Sequence, residues 1–481
     1  MGKLKGSPVL SGLIWTFAER ISAQLVSLLV GVVLARILTP EHYGAISIVM
    51  VLITLCNIFV TSGLGTAIVQ KREVDARDYN TAFLLSLAMS LLLYAALFAG
   101  APLFAAFYRM EELIPVIRVL GLRLIITAVN TIQHAYIQRA MAFKRFFIAT
   151  LLGTVVSGLV GVGMAMRGFG VWALVAQYLT NTTVDTVALF LVGGWFPRLQ
   201  FSRGKAREIC SFGMKVLCTQ LVFTLGGDIR SLIIGKVFGS ADLAFYDQGR
   251  KYPAFLVNNI NSSIQKVLLP ALSRRQSDLA AVKRTVRKCV GLGTYLLCPL
   301  LTGFAVIAKA FVLAVLTEKW LDAVPFIVIF CLAYMTRPLE STCHQALLAL
   351  GKGGLVFRIM VLINMGSLVG VVIAAFLLRS VLWIALCSLI TTVISLGCFF
   401  AAARHHFDYR LREQAQDLFL PVAMSAVMGG LVYIIGLLPL SPWTALLLQA
   451  LCGAAIYLGL SLLWKPKPFM DIKRMLLRRE A

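Results

Sequence analysis

An all-α, polytopic membrane fold is what this chain predicts, and three observations predict it. Hydrophobic residues fill 59% of the 481 positions and charged residues only 14%, a balance that excludes an ordinary water-soluble domain. The apolar residues form continuous runs of about twenty, the length that crosses a bilayer as helix, rather than the alternating segments of a membrane β-barrel. Charged side chains recur inside those runs, so the helices must enclose an interior that keeps them from lipid.

Fourteen spans are predicted, at roughly 9–36, 43–66, 80–107, 113–138, 145–166, 171–193, 208–236, 242–268, 286–307, 323–349, 355–378, 381–402, 417–438 and 443–463. The chain looks duplicated. Gln24-Leu25-Val26 in the first span is echoed by Gln220-Leu221-Val222 in the seventh, and Tyr43 by Tyr246. Pro115 stands opposite Pro325, and His134 opposite His344 at the same separation. The organisation expected is an N-terminal six-helix bundle over 1–193, a basic cytoplasmic linker over 194–207 and a second six-helix bundle over 208–402. Two extra membrane helices follow within 403–464, then a basic amphipathic tail over 465–481. Six is even, so the two pseudo-symmetric halves share one orientation, with a binding site between them.

Basic residues set the orientation. Lys71, Arg72, Arg139, Lys144, Arg203, Lys205, Arg274, Lys283, Arg287, Arg404 and the C-terminal basic run all fall on the side of the N-terminus, which places both termini in the cytoplasm. The net charge of +24 is largely this bias, together with attraction to anionic lipid headgroups. All seven tryptophans, from Trp15 to Trp464, sit at span ends as an interfacial belt. No cleavable signal peptide is expected, because Glu19-Arg20 interrupts the first apolar run. In the tail, Phe469, Ile472 and Leu476 share a helical face while Lys473, Arg474, Arg478 and Arg479 lie off it. That pattern fits a helix along the inner membrane surface, or else a frayed basic end.

The intramembrane charges carry the functional reading. The basic ones are Arg20, Arg118, Arg123, Lys215, Arg230, Arg250, Lys251, Lys266 and Arg337, and the acidic ones Glu19, Asp185, Asp228, Asp247 and Glu340. Each costs roughly 2.5–3.5 kcal/mol at the centre of a lipid-facing helix, so they must line a wet internal cavity. The cationic excess suits an anionic substrate such as a phosphate-bearing lipid, whose oxygens match the arginine fork. Arg20, Arg118, Arg123, Lys215, Arg230, Arg250, Lys251 and Arg337 are the candidates for substrate binding. Glu19, Asp228, Asp247, Glu340, His134 and His344 are the candidates for ion or proton coupling. Internal pairing is the alternative for Asp247 with Arg250 and Lys251, and for Arg337 with Glu340, at helical spacing. Asn258, Asn259, Asn261, Ser262, Ser263 and Gln265 make one face of the eighth span polar, either to meet sugars or to join helices. Pro253 and Pro338 interrupt spans eight and ten, as a gate or as a static kink.

Several chemistries are not encoded. There is no Walker A loop, no zinc spacing and no CxxC pair among the ten cysteines, so no metal, cofactor or disulfide is expected. No folded basic domain exists to bind nucleic acid. A membrane enzyme of glycan assembly would need a sizeable external loop, and the external loops here are short.

The motifs resemble a known family. Leu34-Ala-Arg-Ile-Leu-Thr-Pro-Glu-His-Tyr-Gly44 and Ser62-Gly-Leu-Gly-Thr-Ala-Ile-Val-Gln70 are similar to the opening of the polysaccharide-transport flippases of the multidrug/oligosaccharidyl-lipid/polysaccharide exporter superfamily. Gln138–Lys144, Asp228–Gly239 with Tyr246, and Leu268–Ser273 resemble later parts of the same family. The resemblance implies a V-shaped pair of six-helix bundles with a central cavity and alternating access. It implies a bacterial inner-membrane protein, not an enzyme, that moves undecaprenyl-pyrophosphate-linked oligosaccharides outward for capsule, O-antigen or exopolysaccharide. The implied partners are that lipid-linked oligosaccharide, membrane lipids, a polysaccharide polymerase and a chain-length regulator. A lipid II flippase is a close alternative, and a drug/cation antiporter of the same fold would call for an acidic lumen instead.

Overall fold

The computed structural model describes residues 8–61, 64–71, 73–140, 142–273 and 278–477. The side chains of 8–21, and of several positions within 212–225 and 263–271, lie outside that description. Among the described residues there is no strand. The helices are α1 (Pro8–Ile37), α2 (Pro40–Thr61), α3 (Leu64–Gln70), α4 (Ala76–Tyr108), α5 (Leu113–Arg139), α6 (Phe143–Met166) and α7 (Val171–Gly193). They continue with α8 (Arg203–Val237), α9 (Ser240–Ser273), α10 (Leu279–Phe311), α11 (Val324–Tyr334), α12 (Arg337–Ala349) and α13 (Gly353–Phe376). The last four are α14 (Val381–Phe407), α15 (Leu411–Gly436), α16 (Pro442–Trp464) and α17 (Lys467–Leu477).

Ten helical stretches among the described residues are long and apolar enough to cross a membrane. Absent from those ten are α7, α8, α9 and the short α17, and α1 contributes only the shorter apolar stretch Ser22–Ile37. For α7 the reason is visible in the residues: Gln177, Asn181, Asp185 and neighbouring threonines dilute an otherwise greasy helix. A helix that lines polar space has to lose hydropathy on that face.

The chain divides into two compact units, 1–244 and 245–481. In the first, α5 packs on α2, α4 and α7, and α6 packs on α1 and α7. The repeat in the sequence places α8 at the head of the second half, yet α8 packs against α2, α3 and α4. The Tyr108 hydroxyl donates to the Leu232 carbonyl at 3.0 Å across that contact. Gly44, from the Tyr43-Gly44 motif, lets α2 touch the start of α9: a Cβ there would lie 1.8 Å from the Ser240 carbonyl oxygen.

In the second unit α10 packs against α11, α12, α15, α16 and α17. Span ten is two helices, and Pro338 sits in the first turn of α12, where the missing N–H has no helical acceptor to lose. Pro253 lies within the continuous α9. Between α10 and α11 a π turn (Val312–Leu316) and a 3-10 turn (Glu318–Ala323) meet at Thr317, whose φ is +102°. The tail is helical as far as it is described, and its apolar face is not left to lipid: Phe469 and Ile472 pack against Tyr295, Met424, Met428 and Tyr457.

Candidate functional site: a polar cavity in the N-terminal unit

Helices α2, α3, α5 and α7 enclose a cavity of about 450 Å³ lined by Thr61, Thr66, Arg123, Asn130, His134, Asn181, Thr182 and Asp185, among others. A second cavity of about 280 Å³, lined by Gln24, Ser27, Thr154, Ser157, Gln177 and Tyr178, shares Arg123 and Asn181 with it. Polar groups converge here because α5 and α7 each turn one hydrophilic stripe toward the other. On α5 the stripe is Arg123, Thr127, Asn130, Thr131 and His134; on α7 it is Asn181, Thr182 and Asp185. The spacings of three, four and seven residues keep each set on one helical face.

Arg123 is half-buried where the two cavities adjoin. Its Nε donates to Thr182 Oγ1 at 3.1 Å, and the guanidinium lies 5.5 Å from the centre of the Tyr178 ring. One Nη reaches Met50 Sδ at 3.6 Å. Among the described residues no carboxylate lies within ion-pair distance of this guanidinium.

Asp185 organises the other end. Oδ2 accepts from Asn130 Nδ2 at 2.7 Å and lies 3.3 Å from His134 Nε2, while Oδ1 accepts from Thr150 Oγ1 at 3.4 Å. His134 packs edge-on against Phe146, with ring centroids 5.0 Å apart. Among the described residues the cavity therefore holds a cation without a carboxylate partner on one wall and a shared carboxylate–imidazole pair on the other. The first can hold a phosphate; the second can take up and release a proton.

Of the predicted site residues, the structure brings Arg123 and His134 to this cavity. Arg118 turns away to α4, where its Nε donates to the Phe98 carbonyl and its guanidinium sits 4.3 Å from the centre of the Phe98 ring. Arg337 and Glu340 pair with each other at 3.6 Å, and Glu340 also accepts from Ser395 at 2.8 Å. His344 lies against Phe399. Asp228, Arg230, Asp247 and Arg250 are half-buried and each is engaged by a neighbour, whereas Lys251 is exposed. Glu19, Arg20, Lys215 and Lys266 carry side chains outside the described residues. The amide face of span eight joins helices at two positions: Asn261 accepts from Ser341 and Gln265 from Gln345, both at 2.6 Å.

A count of charges alone passes over Asn130, Thr150, Tyr178, Asn181 and Thr182, and leaves Asp185 without a role. The signal was nonetheless present, as amides and hydroxyls inside spans four, five and six.

At the basic end of this unit a second network closes the ends of α3, α4 and α8. Asp78, only 2% exposed, holds Lys71 at 3.1 Å and Lys205 at 3.2 Å. Lys71 also meets Glu208 at 2.7 Å, and Lys205 meets Asp75. The Lys205 ammonium, followed by the Asp78 N–H, holds the Asp75 carboxyl down at about 2.

Comparison with known proteins adds to this geometry. The profile of a family described as polysaccharide biosynthesis protein matches residues 33–325. The chain is 23% identical over 482 residues to the teichuronic acid biosynthesis protein TuaB of Bacillus subtilis strain 168, covering 98% of each. It is 22% identical to the succinoglycan biosynthesis transport protein ExoT of Rhizobium meliloti strain 1021, over 93% of this chain and 90% of that one. In fold it is similar to the lipid II flippase MurJ in an inward closed conformation, with a TM-score of 0.78 at 11% identity over 95% and 99% of the two chains.

Proposed function

Because the chain belongs to the polysaccharide biosynthesis protein family, we propose that its polar cavity serves the translocation of an oligosaccharide carried on a polyprenyl pyrophosphate. The substrate passes from the inner to the outer leaflet of the bacterial inner membrane, with both termini of the chain cytoplasmic. The chain acts as a transporter rather than an enzyme. The observation that carries the substrate class is Arg123: an arginine without a carboxylate partner among the described residues, inside an otherwise polar cavity of a membrane-spanning unit. A half-buried cation of that kind inside a membrane-spanning unit is costly to keep, and an anion that shares the site during the working cycle offsets the cost. Tyr178 and the amides of Gln177 and Asn181 beside it offer the stacking surface and hydrogen bonds that sugars use. We place Asp185 with His134 as the proton-accepting pair of the cycle, ahead of the other coupling candidates, because they share the cavity with Arg123. The polysaccharide polymerase and chain-length regulator belong to this proposal as downstream partners.

The test is Arg123→Ala against Arg123→Lys, with surface glycan and protein level both measured. Arg123→Ala should abolish surface glycan at normal protein level, and Arg123→Lys should retain a part of it, since lysine keeps the charge but not the fork. Unchanged glycan in Arg123→Ala refutes the assignment. Mass spectrometry of the lipid-linked intermediate that accumulates on deletion names the sugar repeat, and distinguishes lipid II from other glycans.

A further inference from the structure

A separate cavity lies in the second unit. Helices α10, α15 and α17 frame a volume of about 470 Å³ whose lining divides into a charged lip and an apolar floor. The lip carries Arg284, Arg287, Lys288 and Lys467 against Asp417 and Asp471. One helical turn further along α10 and α15 the lining becomes Leu292, Leu420 and Pro421.

The charges on the lip are not equally committed. Arg287 is taken, with Nε and Nη2 held by both oxygens of Asp417 at 2.7 and 2.8 Å and Nη1 held by Glu413 at 3.1 Å. Lys288 is half exposed and reaches Asp471 only at 3.5 Å. Arg284 is 77% exposed, with Asp278 at 4.0 Å. Lys467 is exposed and makes no ion pair among the described residues. Three loosely held cations therefore face an opening whose floor is apolar, at the ends of two membrane-spanning helices. The apolar face of α17 is already covered by the unit's own core, so the helix serves as a fixed wall of the cavity.

We propose that this cavity binds an anionic glycerophospholipid, its phosphate on Lys288, Lys467 and Arg284 and the start of its acyl chains on Leu292, Leu420 and Pro421. Charge selects the headgroup, because a single negative charge is attracted by three cations that the protein's own carboxylates do not fully neutralise. The apolar floor selects a lipid over a soluble anion, since a free phosphate gains nothing from burying leucine. The site is independent of the Arg123 cavity, so it stands or falls without the transport reading.

The test uses the full chain in detergent, with retention of phosphatidylglycerol measured by native mass spectrometry. The variant is K288A/K467A, and the control is K352A/R358A, which removes the same charge from exposed positions outside the cavity. K288A/K467A should weaken phosphatidylglycerol binding about thirtyfold and remove one retained lipid, while the control leaves both unchanged. Zwitterionic phosphatidylcholine should not be retained by any form. An equal loss in the control, or equal retention of phosphatidylcholine, overturns the proposal. Inorganic phosphate that displaces the lipid at equal concentration also overturns it, because the apolar floor would then contribute nothing. Leu420→Asp, which spoils the floor and leaves the cations in place, should lose the lipid too; retention there counts against the site.

Discussion

Asp78 offers the most stringent check on how the first unit is held together. Its carboxylate is buried and takes Lys71, Lys205 and the Asp75 N–H at 3.1, 3.2 and 3.0 Å. Removing one partner from a buried ion pair costs about 3–5 kcal/mol when the other charge is stranded, but here neither lysine is. Lys71 keeps Glu208, Lys205 keeps Asp75, and both lysines are about a quarter exposed. The ionic loss in Asp78→Ala should therefore fall to about 2–3 kcal/mol. The reciprocal cap at the start of α4 goes with it, adding about 1 kcal/mol, for a total near 3–4 kcal/mol. Asp78→Asn keeps an acceptor for the cap and should lose about half as much. Equilibrium unfolding in mixed micelles with rising SDS gives the numbers, and a double-mutant cycle with Lys205→Ala isolates the pair. A loss below about 1 kcal/mol in Asp78→Ala would show that the network is a solvated surface cluster and refute its role in holding the unit together. The network also predicts its own pH window. Asp75 has a lowered pKa, so its contribution is present above the ordinary carboxylate value near 4 and fades as pH falls toward 2. Lys71 has a raised pKa, chiefly through Glu208, so its contribution persists up to the ordinary lysine range and fades as pH rises beyond it.

Three further substitutions probe other parts of the chain. Gly44→Ala drives a Cβ into the Ser240 backbone and should cost about 3 kcal/mol or more, read as loss of folded protein in fluorescence size-exclusion chromatography. Thr317→Gly should gain about 1–2 kcal/mol in the same micelle unfolding assay, because a β-branched residue at φ +102° stores strain and leaves its Oγ1 buried without a partner. Asp185→Ala strands the Asn130 amide and should lose about 1–3 kcal/mol, whereas Asp185→Asn keeps an acceptor and should unfold near wild type. If Asp185 takes part in coupling, Asp185→Asn still loses surface glycan despite that stability.

Helices were legible because a bilayer allows few alternatives: apolar runs of about twenty residues must satisfy their own backbone, and tryptophans and lysines mark the ends. The site was half legible. Arg123 and His134 stand out in an apolar run, and charge arithmetic finds them. What charge arithmetic cannot supply is direction around the helix axis relative to a neighbour. Arg118 and Arg123 share α5, yet Arg118 meets the Phe98 carbonyl of α4 while Arg123 meets Thr182 of α7. Five residues separate them, which on a helix is a rotation of about 140°. Arg337 and Glu340 show the other limit: spacing of three allows a pair, and only the folded arrangement decides that it forms.

The internal repeat is where sequence and structure inform each other most. The sequence pairs Pro115 with Pro325 and His134 with His344 at one separation. The helix ends continue it without insertion: α6 and α13 run Phe143–Met166 and Gly353–Phe376, and α7 and α14 begin at Val171 and Val381. Two hydrogen bonds also obey the same separation. In the first unit Asn130 of α5 donates to Asp185 of α7 at 2.7 Å; in the second, Ser395 of α14 donates to Glu340 of α12 at 2.8 Å. Position 130 corresponds to 340 and position 185 to 395, so the carboxylate has changed helix while the contact has kept its place. A random pair of polar residues would not recur at matched positions in two sets of helices. What the duplication preserves is a requirement for one carboxylate, hydrogen-bonded across this crossing, and either helix can supply it. The surroundings then decide what each carboxylate can do. Glu340 is neutralised by Arg337 on its own helix, whereas Asp185 faces His134 and a cavity that also contains Arg123. The two halves share a scaffold, and of these two carboxylates the one in the first unit is left chemically available.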